Sequence, residues 1–204
     1  MNSKAPSTQS ICTVLVPGWL DNDRTLTRLR TYLELNGVRA VICSPQPSDG
    51  TAPIERLAAQ LAAFVESGFG PDQPVNLFGF SMGGLIHRVF LQQMGGWRRV
   101  HKFVTVATPH RGTMTAQLAT RMTPNEAWVQ MRPDSNFIMG LNSDLSALER
   151  VQFTSVWSPL DLTVVPANSS VLPVGKSRRV WSPAHGIMMY DPNVMRVVAG
   201  LLKG

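Results

Sequence analysis

Ser81 stands in Gly79-Phe80-Ser81-Met82-Gly83, with Gly84 directly after. A serine between glycines at these offsets, following a short apolar run and opening an amphipathic stretch, is the pattern of a nucleophile held on a sharp strand-to-helix turn. The apolar run is 75–80 and the amphipathic stretch runs from Leu85 to Leu91. The reason for the glycines is steric. A strained backbone at the serine brings its neighbours too close for side chains, and Gly79 and Gly83 supply the room. Gly84 lets the helix approach the sheet. The hydroxyl then projects from a strand tip with a helix N-terminus behind it, a setting for nucleophilic attack by an activated oxygen.

A serine hydroxyl needs a base to take its proton and an acid to orient that base. On a turn of this kind the acid follows the serine in the chain and the histidine comes last. The sequence holds four histidines. His87 lies inside the helix after Ser81, and His101 begins a strand at the wrong end. His110 sits just past a strand end but ahead of any suitable acid. His185, in Ser-Pro-Ala-His-Gly before the final helix, stands where the base is expected. For the acid, Asp161 ends the segment Trp157-Ser158-Pro159-Leu160-Asp161, at the carboxyl edge of a strand. Asp191 competes, but it precedes Pro192 and reads as a helix N-cap. Asp134 and Asp144 read as turn or cap residues. A developing oxyanion needs two N–H donors. Those expected are the backbone N–H groups of Met82, after the serine, and of Trp19, in the loop Val16-Pro17-Gly18-Trp19-Leu20.

The elements that must position these residues follow from periodicity. Residues 11–16 are a β-branched run stopped by Pro17-Gly18, a buried strand feeding a loop. Leu26, Leu29, Leu33 and Leu35 recur near helical spacing over 24–36, and Gly37 closes that helix. Further strands are expected over 38–43, 75–80, 101–107, 151–157 and 178–182. Helices are expected over 53–65 with Gly68 at the end, from Met82 to about Met94, and over 193–202. Strands alternating with helices imply a parallel sheet with right-handed crossovers. The expectation is an α/β fold, one domain over 1–204. It has a mostly parallel sheet of about six strands, a flexible 1–10 and no large cap domain. A cap-like insertion spans 112–150, within a connection of more than forty residues rich in methionine and aromatics. That composition suits a flexible apolar wall for an acyl chain, or equally helix-on-sheet packing. Leu20, His110, Met114 and Met131 are the side chains expected to touch a substrate.

Composition narrows the classes. With 44% hydrophobic and 16% charged residues, the chain can bury a core and is not a disordered one. No apolar run is long enough to cross a bilayer. Cys12 and Cys43 fall near strand ends and are expected as free thiols. The polar 1–10 shows no basic-then-apolar leader, so a cytoplasmic location is expected. The net charge is +6. Its clusters, Arg98-Arg99 with Lys102 and Lys176 with Arg178-Arg179, are not interleaved with aromatics. Nucleic acid is therefore not an expected partner, although weak contact with an anionic membrane surface is compatible.

Taken together, the sequence resembles the small bacterial lipases and esterases of the α/β-hydrolase superfamily, from about Ile11 to the C-terminus. The segments that carry the resemblance are 79–84, Ala-Thr-Pro-His-Arg-Gly-Thr at 107–113, Asp-Leu-Thr-Val-Val-Pro at 161–166, and Ala184-His185-Gly186. Pro17-Gly18 stands where such lipases commonly show His-Gly, so the oxyanion loop is assigned by position. The resemblance implies Ser81 as nucleophile, His185 as general base and acid, and Asp161 as its orienter. It implies a carboxylic-ester hydrolase working on small-molecule esters or lipids without metal or organic cofactor. Acyl transfer and thioester or amide cleavage use the same groups and remain open. A non-catalytic binding module is disfavoured, because no member of the constellation is missing.

Overall fold

The structure, a computed structural model, describes residues 11–122 and 125–203; the 1–10 lead-in lies outside the described residues. Six strands form one sheet: β1 (Cys12–Val16), β2 (Ala40–Ile42), β3 (Val75–Phe80), β4 (Val100–Val106), β5 (Gln152–Trp157) and β6 (Lys176–Arg179). Their order is β2-β1-β3-β4-β5-β6, and every pairing is parallel. Because both faces are covered, the central strands are apolar without alternation, and β1 and β3 are buried throughout.

On one face lie α1 (Asp23–Leu35) and the closing helix α8 (Pro192–Leu202), packed on Leu15, Phe78, Val104 and Val156. On the other lie α2 (Ile54–Phe69) and α3 (Met82–Gln93), packed on Val14, Leu77, Phe103 and Phe153. Asp191 caps α8, accepting from the Asn193 N–H, with Pro192 in the first turn. Helix α2 runs past Gly68 and ends at Gly70, whose φ of +64° suits only glycine well. Gly68 is thus not the stop signal expected of it; Phe69, packed against the core, holds the helix beyond it.

The described residues of 112–150 form four short helices, α4 (Met114–Met122), α5 (Glu126–Gln130), α6 (Asn136–Ser143) and α7 (Ser146–Glu149). They stack beside α2 and α3 through Ala116, Ala127, Ile138, Leu141 and Leu148. Part of the apolar content of this insertion is therefore core, while Met114, Leu118, Met122, Val129 and Met139 stay exposed. Arg88 of α3 ties it down, its buried guanidinium donating to the carbonyls of His110 and Leu141. Cys12 and Cys43 are both free and buried, and burial pushes the Cys43 thiol up to about 12. No helix among the described residues is long and apolar enough to cross a membrane.

Candidate active site

The strand ends converge on Ser81. Its backbone sits at φ 53°, ψ −123°, a strained conformation for a side-chain-bearing residue. The close approaches around it are specific. A Cβ at position 79 would lie 2.5 Å from the backbone of Gly84. One at position 83 would run into the carbonyls of Val16 and Pro17, and one at 84 into Thr108. The turn is held by the Ser81 N–H, which donates to Val106 O at 2.9 Å.

The Ser81 Oγ lies 2.9 Å from His185 Nε2, and His185 Nδ1 lies 2.8 Å from Asp161 Oδ2. A carboxylate only accepts, so Nδ1 carries the proton and Nε2 is left to accept from the serine hydroxyl. The second carboxylate oxygen, Oδ1, accepts the backbone N–H groups of Thr163 and Val164 at 2.8 and 3.0 Å. Those bonds fix the carboxylate plane. The Phe80 ring supports the imidazole, with centroids 4.9 Å apart. Three residues from the ends of three connections, 81, 161 and 185, thus form one hydrogen-bonded line.

The loop after β1 presses against this line. A Cβ on Gly18 would stand 3.0 Å from the Ser81 Cβ and 3.0 Å from Asp21 Oδ2. Asp21 organises the loop: it accepts from the Gly18 N–H at 3.2 Å and from Thr25 Oγ1 at 2.9 Å. The Trp19 indole donates to Asp49 O, and its ring meets Trp128 edge-on at 4.8 Å. Neither the Trp19 N–H nor the Met82 N–H has a hydrogen-bond acceptor among the described residues. Sequence reasoning missed Asp21, Thr163 and Val164, whereas Trp128 belongs to the aromatic content expected of an acyl wall. Asp161 followed two residues on by Thr163 is an Asx-turn signal for Thr163 and Val164. Asp21 has none, since its contacts depend on tertiary packing.

A cleft of about 420 Å³ opens over Ser81 and His185. One wall is apolar, built from Trp19, Pro109, Trp128 and Met131; Phe80, Ile187 and Tyr190 line it elsewhere. Asp21, Thr25, Thr113, Thr115 and Thr163 supply polar atoms. Of the four side chains expected to touch a substrate, Met131 lines the cleft and the other three do not. Leu20 adopts φ 57° and its N–H donates to Ser48 O, which turns the side chain out to 58% exposure. Met114 is half-exposed because the neighbouring Thr113 and Thr115 face the cleft and donate to Thr163 O. His110 is fully buried, donating or accepting at Thr105 Oγ1 over 3.0 Å and packing edge-on against Phe153. Burial, with the Arg88 charge nearby, holds its imidazole well below the usual histidine range.

Among known protein families, the model of palmitoyl protein thioesterases matches residues 14–144, well over half of the chain. The chain belongs to that family. The matched stretch includes Ser81 and the loop after β1 and ends before Asp161 and His185. No curated protein matches the sequence significantly. Among solved structures, the fold is similar to the mature lipase BlEst2 of Bacillus licheniformis, with a TM-score of 0.79 at 16% identity. That match covers 99% of this chain and 96% of that one. Lipase B of Aspergillus fumigatus gives a TM-score of 0.77 at 16% identity over 97% of this chain, but only 53% of its own length. The propeptide form of BlEst2 is likewise covered over only 52% of its length. A metagenomic carboxyl esterase, MGS0156, gives 0.69 at 15% identity, covering 97% of this chain and 71% of that one. Family and fold together make this thioesterase-family member a hydrolase of the α/β-hydrolase class.

Proposed function

We propose that the chain hydrolyses carboxylic esters of acyl chains through a covalent acyl-serine intermediate. The observation that carries this reading is the line Ser81–His185–Asp161 opening onto a largely apolar cleft. Ser81 Oγ attacks the ester carbonyl carbon while His185 Nε2 takes the hydroxyl proton. The imidazolium formed is stabilised by Asp161. The carbonyl oxygen becomes an oxyanion, met by the N–H groups of Met82 and Trp19; losing one such donor costs about 3 kcal/mol. Collapse expels the alcohol, which leaves with the proton from His185. Water then attacks the acyl-serine, gives its proton to the same Nε2, and the second collapse releases the acid and restores Ser81. The acyl chain lies along Trp19, Trp128 and Met131.

Thioesters are the second reading, favoured by the family of the chain. The same steps apply, with a thiol leaving in place of an alcohol. Transfer of the acyl group to an alcohol acceptor would replace only the second attack.

Hydrolysis of p-nitrophenyl esters from acetate to palmitate, run with the Ser81→Ala protein, tests the proposal. A loss on the order of 10⁶ in kcat is expected of the variant. Undiminished cleavage by it would overturn the assignment. A higher kcat/KM on the S-acyl thioester than on the ester of the same acid would move the assignment to thioester hydrolysis.

A further inference from the structure

The edge strand β6 breaks the logic of the sheet. Val156 of β5 pairs with Arg178 of β6, and Thr154 with Lys176, so all four share the face that α1 and α8 cover. Aliphatic residues at positions 176 and 178 would extend the core beneath α8. Lys176 and Arg178 stand there instead, and all of β6 is exposed. Together with Arg196 on α8 they flank an open groove of about 470 Å³, whose floor is Val197 and Leu201.

None of these three cations pairs with a carboxylate among the described residues. From 151 to the C-terminus the only acids are Asp161, engaged with His185, and Asp191, the α8 cap, against five Lys and Arg. Just beyond β6 stands Trp181, 66% exposed, with the Arg179 guanidinium over its ring at 5.4 Å. An indole beside a cation at a wet surface is the arrangement found where proteins meet lipid head groups. Four residues further along the chain is His185, and the exposed Ile187 lines the cleft mouth itself.

We propose that the exposed sheet edge, with the β6–α8 groove on one side of β6 and Trp181 beyond its end on the Arg179 side, forms a docking surface for an anionic phospholipid bilayer. Lys176, Arg178 and Arg196 meet the head groups, and Val197 and Leu201 accept apolar carbon beside them. Trp181 enters the interface. Charge alone would suit any polyanion, but a nucleic-acid backbone offers nothing to an aliphatic floor, and one indole is no stacking platform. A bilayer supplies both chemistries. Docking does not depend on the reaction assigned to Ser81.

Co-sedimentation of the Ser81→Ala protein with vesicles tests this without hydrolysis of the lipid. Binding is expected to phosphatidylcholine vesicles containing phosphatidylglycerol, and not to phosphatidylcholine alone, and it should weaken as salt is raised. Replacing Lys176, Arg178 and Arg196 together with Gln should weaken partition on the order of a hundredfold. Trp181→Ala should weaken it about tenfold. In the otherwise native enzyme, these changes should leave cleavage of a short soluble ester intact, which separates lost docking from lost folding. A control with Arg39, Arg56 and Arg98 changed to Gln, all exposed and none on β5, β6 or α8, should bind as before. Equal loss in that control would reduce the effect to net charge and overturn the proposal. So would equal binding to neutral vesicles. Competition by soluble glycerol phosphate at the affinity of the vesicles would make it a free-anion site instead, and preferential binding of an oligonucleotide would assign the surface to nucleic acid.

Discussion

At the scale of single residues, the site is a matter of which atom can accept and which can donate. Asp161 uses both oxygens: Oδ1 takes two backbone N–H groups and Oδ2 faces the His185 ring. Asp161→Asn keeps the shape but presents a donor or a neutral acceptor to Nδ1, disturbing the tautomer that Ser81 needs. On the proposed mechanism, kcat should fall on the order of 10⁴ with folding unchanged, read by steady-state kinetics and thermal melting. A fall of less than tenfold would mean that His185 is oriented by something else. Asp21 acts differently, through the loop that carries the Trp19 N–H. Removing its carboxylate in Asp21→Ala should lower kcat on the order of 10² while KM moves little, because a displaced donor matters chiefly in the transition state. Asp21→Asn keeps one acceptor and should recover much of that loss. If Asp21→Ala raised KM alone, the residue would be touching substrate rather than holding the loop.

At the scale of elements, the elbow works because β3 and α3 meet where three backbones crowd together. Gly83→Ala would drive a methyl into the carbonyls of Val16 and Pro17. Backbone cannot yield as a side-chain tip does, so a destabilisation of about 2–3 kcal/mol is expected in denaturant titration. Wild-type stability in that variant would show that α3 can shift without cost. Arg88 poses the opposite case. Its guanidinium is buried without a carboxylate partner among the described residues, and burial lowers its pKa to about 9. Both carbonyls that it binds have a second donor, Asn142 Nδ2 for His110 O and Gln92 Nε2 for Leu141 O. Arg88→Met should therefore change stability by less than about 1 kcal/mol, since a desolvated charge is removed, both carbonyls keep a donor, and the Gln92 Oε1 that loses the Arg88 Nε donor is only half-buried. A loss above about 3 kcal/mol would reveal that the insertion depends on the guanidinium itself.

At the scale of the whole molecule, two fully buried histidines tie stability to pH. Burial lowers the His87 pKa to about 3 and holds that of His110 well below its usual value. Unfolded, both titrate near 6.5. The folded state keeps them neutral, so the unfolded chain binds more protons below pH 6.5 and stability falls as the pH drops; above 6.5 neither contributes a slope. Two such groups approach about 2–3 kcal/mol per pH unit well below 6.5. Urea titrations at pH 7.5 and at about pH 5 measure this. A His87→Leu variant that still folds should show the shallower decline, and an unchanged slope would place the sensitivity elsewhere.

The sequence by itself determined the alternation of strands and helices, the elbow, and the positions at strand ends where a base and an acid could stand. These are local properties: continuous apolar runs for strands buried on both faces, glycines where Cβ atoms cannot fit, and caps such as Asp191. Gly68 escaped that logic because packing of Phe69 on the core outweighed a local propensity of about 1 kcal/mol. The tertiary structure alone decided which long-range groups meet. It brought residues 81, 161 and 185 into one hydrogen-bonded line, put Asp21 behind the loop after β1, and set Trp128 against Trp19. It also took His110 into the core and turned Leu20 and Met114 outward. Those outcomes depend on packing between segments far apart in the chain. Such packing leaves no period or spacing to read.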